Sequence, residues 1–225
     1  AGVMQHPVTV APLGPDDVSA LLARRYEVLR IPGQPFVPPV GLDTAVALAR
    51  VFIGDLRELL RALEAAVFKL AHRGAVTVTL PEAMQVISAQ QRELLRDRMQ
   101  TAAWKHLQSL VLGAKESPLV LQRFREADAV RMLAPMRQPT VNAHKQTWLA
   151  DGLVRSDGRT GASDWLVVTG EALLAMLPDA MAMGKPLDAM LHGRDLERQA
   201  ADAEIGGAGG PSIAKAARRG GKPRK

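Results

Sequence analysis

Arg57 stands three residues after Gly54 in "GDLRELLR", at the start of an apolar helical pattern. A guanidinium carries five donors in a fixed fork and keeps its charge, so it can grip a terminal phosphate and respond to its presence. A glycine just before it lets the backbone bend close to such a ligand. The residue four positions on is Arg61, a like charge, so no forward helical ion pair occupies Arg57. A second polar set begins at Thr140 and includes Asn142, His144 and Lys145. Short polar and cationic side chains near the start of a helix can reach base edges in a major groove. Arg155 and Arg159 flank or occupy "SDGRTG", where a cation can bind phosphate or enter a minor groove.

Other chemistries find little material. The chain has no cysteine, which removes disulfides, thiolate metal sites and cysteine nucleophiles. Its five histidines, His6, His72, His106, His144 and His192, show no metal spacing with a carboxylate, so no metal is expected. No GxSxG occurs, and no catalytic residue is named. No GxxxxGK[ST] loop occurs either, so this chain alone is expected neither to hold ATP with Mg²⁺ nor to hydrolyse it. No apolar run approaches the ~20 residues of a membrane span, and the start shows no secretory pattern. A cytoplasmic protein is the expectation.

The formal net charge of +6 has a location. Residues 211–225 hold Lys215, Arg218, Arg219, Lys222, Arg224 and Lys225 and no acid. Without those six the remainder balances at 23 basic and 23 acidic residues. The segment 206–225 therefore reads as a disordered basic tail. Arg218 and Arg219 in it can hold phosphates by Coulomb attraction and counterion release.

These side chains need elements to carry them. Val8, Val10 and Leu13 alternate as in a short strand or extended arm. A helix follows Gly14-Pro15, with Val18, Leu21, Leu22 and Tyr26 on one face. "IPGQPFVPPVG" must be a loop, after which Asp43 or Thr44 can cap a helix through Val51. Leu56, Leu59, Leu60, Leu63, Ala66, Val67 and Leu70 make the clearest helix, closed by Gly74. Thr79 and Glu82 form a capping box for the next, with Pro81 in its first turn. Residues 1–97 thus read as a small helical bundle. Residues 98–178 read as helices around Trp104, Ala129 and Trp148, the last capped by Thr140, then a strand, a glycine-rich turn and a strand. A helical segment is expected over 179–205. The two stretches 1–97 and 98–200 are expected to keep separate cores.

The order of these parts resembles the C-terminal portion of AAA+ ATPases, most nearly the origin-recognition and STAND-related branches. "VAPLGPDDVSALLARR" resembles the exit from the ATPase core into its lid, "GDLRELLRALEAAV" the sensor-2 helix, and "HRGAVTVTLPEAMQVI" the helix that ends such lids. Residues 98–178 are similar to the winged helix-turn-helix that follows the lid in those branches. The resemblance implies a mainly α protein: an AAA+ lid-like bundle, then a winged helix with a short β-hairpin. It implies that Gly54 and Arg57 are the nucleotide-binding residues of a longer, ATP- and Mg-dependent parent, whose phosphate loop would precede Ala1. It further implies a DNA-binding role, controlled by ATP, with double-stranded DNA as partner and a homo-oligomer formed through the ATPase region. Two alternatives share the same residues: a stand-alone winged-helix transcription regulator, and a protein-interaction module of a STAND-type signalling ATPase.

Overall fold

A computed structural model of the chain describes residues 14–52, 55–113, 120–160, 163–185 and 190–191, without the side chains of 15, 16, 158–160 and 163. The expected strand or arm at Val8 to Leu13, the tail, and most of 179–205 lie outside the described residues. The protein is mainly helical, with one small antiparallel sheet of three strands.

The first helix, α1 (Pro15–Leu29), opens with the Gly14 amide donating to Asp17 and turns Val18 and Leu22 inward. Tyr26 donates its hydroxyl to the Val40 carbonyl, 3.1 Å away, which holds the proline-rich loop against the helix. Val40 also pairs in parallel with Val78, a bridge that the sequence pattern did not signal. The helix α2 (Leu42–Phe52) begins at Leu42, so Asp43 and Thr44 lie inside its first turn and neither is its cap. Thr44 is buried there. The helix α3 (Leu56–Ala71) buries Leu59, Leu63, Ala66 and Leu70, as its periodicity predicts. Its cap is Asp55, whose carboxylate accepts from the Glu58 amide at 3.2 Å. Gly74 closes it with a φ of 84°, a region that costs other residues strain. The helix α4 (Leu80–Leu94) starts at the Thr79/Glu82 pair, where the Thr79 amide donates to the Glu82 carboxylate at 3.1 Å.

A single turn, α5 (Arg96–Met99), leads into α6 (Ala102–Leu112), capped by the Thr101 hydroxyl. Then come β1 (Arg123–Arg125), α7 (Glu126–Met132), α8 (Gln138–Ala150), β2 (Val154–Thr160) and β3 (Ser163–Val168). The sheet order is β1-β3-β2. Phe124 faces Leu166 in the register and Val154 faces Val168. The strands pair out to Thr160 and Ser163, so "SDGRTG" lies mostly in β2 and is not a loose tip. Pairing is irregular between Ser156 and Arg159.

The last long helix, α9 (Gly170–Ala182), crosses back over the first half of the chain and packs on α4 and α2. Arg92 of α4 donates to the Ala175 carbonyl at 3.0 Å and to Asp179 at 2.9 Å. Gln108 of α6 donates to the same carboxylate at 2.8 Å. Met176 is fully buried in this contact region. The buried side chains therefore join into one cluster from Val18 to Leu191, and the expected separate cores are not found. The physical reason is that α9 is apolar on more than one side, so it serves both halves at once.

Candidate nucleic-acid interface

Pro139 sits in the first turn of α8, where its missing amide proton costs nothing, and its fixed φ sets the start of the helix. The helix therefore starts at Gln138, and Thr140 is an exposed first-turn residue and not the cap. Val141 and Trp148 fix the inner face. The Trp148 indole donates to the Ala103 carbonyl of α6 at 2.8 Å and meets the Phe124 ring edge-on, 6.1 Å between centroids.

Two of the named side chains are engaged inside the protein. Lys145 donates to Glu126 of α7 at 2.8 Å, and its side chain is only 15% exposed. That ammonium holds the Glu126 carboxyl below its usual range, assisted by the Gln138 side chain. His144 shares a 3.0 Å hydrogen bond with His106 of α6 and lies nearly parallel to the Trp148 ring. One imidazole of such a pair must offer a lone pair to the other's N–H, so the contact survives one proton but not two. Burial and the neighbouring His106 together hold His144 below the ordinary value of 6.5.

The sign of the pH effect follows. The folded state holds its proton on His144 less readily than the unfolded chain, so the stability from keeping His144 neutral is present above pH 6.5 and lost as pH falls below that value through the lowered folded one. Thermal melts between pH 7.5 and about 5 are expected to show a falling midpoint, and a shallower fall in a His106→Gln/His144→Gln variant. Equal slopes in both proteins rule the pair out as the source.

Asn142 is exposed, as are Gln146 and Thr147 beside it. Thr147 donates its hydroxyl to the Ala143 carbonyl at 3.2 Å. Arg155 is half-buried on β2, opposite Val167, and takes part in an internal interaction. The Arg159 backbone lies opposite Asp164, but its side chain lies outside the described residues, as do Arg218 and Arg219. On the sheet, Arg123 and Arg125 lie over the Trp165 ring at 4.4 and 5.0 Å. Arg123 pairs with Asp157 at 3.1 Å, and Arg125 shares the Asp128 carboxylate with Arg131, at 3.3 and 3.2 Å.

At the other named site, Arg57 is exposed in the first turn of α3, and Gly54 lies outside the described residues. The same turn carries Asp55 and Glu58, and Arg61 pairs with Glu58 at 2.8 Å. Glu171 at the start of α9 is raised above its usual carboxylate value, by burial first and then by Glu58 and Asp55. Among the described residues no group of three or more His, Asp or Glu is arranged to hold a metal. No described helix is long and apolar enough to cross a membrane.

Glu126 and His106 matter to this interface and went unread in the sequence. Each meets α8 from another helix, 19 and 38 residues away, beyond any local periodicity. Compared with protein-family models, curated proteins and solved structures, the chain matches none.

Proposed function

We propose that residues 98–178 are a winged helix-turn-helix that binds double-stranded DNA, and that residues 1–97 are the lid of an AAA+ ATPase whose ATP and Mg²⁺ state it follows through Arg57. One observation supports this reading above the others. The helix α8 is anchored by Val141 and Trp148 while its outer face stays in solvent beside the β2–β3 hairpin. A helix held in this way can enter a major groove without disturbing its own core. The element order from α6 to β3 and the sheet order β1-β3-β2 also fit a winged helix. Nucleotide state would set the angle of the bundle, and the bundle would carry α8 toward or away from DNA.

The test is fluorescence anisotropy of the whole chain with a two-turn duplex, between about 50 and 200 mM salt. Affinity is expected to fall steeply with salt. Removing residues 211–225 should weaken every duplex alike and flatten the slope of log K against log salt by about one unit for each phosphate the tail had neutralised. No binding at the low-salt end overturns the DNA reading and puts the protein-interaction module in its place. The ATPase half stands on a GxxxxGK[ST] loop encoded upstream in the same reading frame, and fails without one.

A further inference from the structure

The outer face of α8 has a restricted composition. Along Gln138–Ala150 the buried or half-buried positions are Val141, His144, Lys145, Trp148 and Leu149. The helix carries a single lysine and no arginine, aspartate or glutamate. That lysine is held by Glu126, and Gln138 turns its side chain to the same carboxylate. What remains in solvent beyond the first turn is Asn142, Ala143, Gln146, Thr147 and Ala150.

Major-groove chemistry assigns these types to particular bases. Guanine is read by arginine or lysine at O6 and N7, and cytosine by a carboxylate at N4. Adenine is read by the two-atom fork of asparagine or glutamine at N6 and N7, and the thymine methyl by small apolar groups such as alanine or the threonine methyl. Asn142 and Gln146 are four residues apart, one helical turn, so they lie on one stripe about 6 Å apart along the axis. That rise matches roughly two base-pair steps of a duplex at about 3.4 Å each. Ala143, Thr147 and Ala150 flank the stripe. The hydroxyl proton of Thr147 is already used on Ala143, which leaves its methyl and the acceptor lone pairs of its oxygen outside. Beyond the first turn the face thus offers adenine and thymine readers, and none of its five side chains is a cation or a carboxylate.

We infer that α8 recognises A·T pairs in the major groove, with Asn142 and Gln146 each reading an adenine about two steps apart. This rests on the DNA-binding reading above and names its substrate class.

The test uses the whole chain against two duplex pools with common flanks, one with a central block randomised over A·T pairs and one over G·C pairs. Enriched members of the A·T pool are expected to bind at least about tenfold tighter than any member of the G·C pool, the scale of a good bidentate contact. Asn142→Ala and Gln146→Ala should each remove most of that preference. Both positions are exposed, so unchanged melting curves confirm that the variants fold. Replacing adenine by 7-deazaadenine removes only the N7 acceptor and leaves the minor groove as it was; it should reproduce the loss. Equal affinity for the two pools overturns the A·T inference and leaves DNA binding standing. A preference that survives both substitutions and 7-deazaadenine overturns the adenine contacts of Asn142 and Gln146. No binding to either pool at low salt overturns both readings.

Discussion

Trp148→Ala is expected to remove about 3–5 kcal/mol of stability, the range for emptying a large aromatic site in a core. A domain of this kind has only about 5–15 kcal/mol in total, so the loss is a large fraction of what keeps it folded. Three interactions end together: the hydrogen bond to the Ala103 carbonyl, the edge-on packing with Phe124 and the stacking under His144. Urea denaturation of wild type, Trp148→Phe and Trp148→Ala separates them. The phenylalanine variant keeps most of the packing and loses the indole donor, so its cost should be the smaller. An alanine variant that unfolds at the wild-type urea midpoint shows that α8 is held in place by something else.

Gly170→Ala is the second large effect, and here the sign is informative. Glycine inside a helix is ordinarily worse than alanine by about 0.5–1 kcal/mol, so the change would stabilise an open position. At Gly170 an added Cβ would lie 2.8 Å from Phe52 Cδ1 and 3.1 Å from its Cα. Phe52 is 2% exposed and has little space to retreat. The variant is therefore expected to lose about 1–3 kcal/mol, the cost of overpacking. A smaller residue in place of Phe52 should restore part of that loss, and calorimetry of the four proteins in a double-mutant cycle measures it. A higher melting temperature for Gly170→Ala alone would show that the α2–α9 packing yields easily.

Local patterns carried much of the fold. The leucine repeat of α3 and the Thr79/Glu82 box each depend on residues within one element, and each is found where expected. What escaped depends on partners far along the chain. The strand β1 has three residues and exists because Phe124 finds Leu166 on β3. The start of α8 went astray because Thr140 resembles a cap, while Pro139 pins the first turn earlier. The shared core was hidden because Arg92 reads as a solvated helix residue, and only the approach of α9 gives it two acceptors. On α8, residue type singled out His144 and Lys145 but did not show which side chains stay in solvent. His144 and Lys145 suit DNA by chemistry, yet His106 and Glu126 engage them, and neutral amides are left outside.

The pairing of Arg92 with Asp179 spans 87 residues. A ribosome adding about 5–20 residues per second needs roughly 4–17 seconds to travel from one to the other. Until α9 is made, Ala83, Met84, Val86 and Ile87 of α4 are ready to bury with no α9 to cover them. Closure of the bundle must therefore wait for α9 to be translated, and a nascent chain stalled before Gly170 offers that open strip to chaperones.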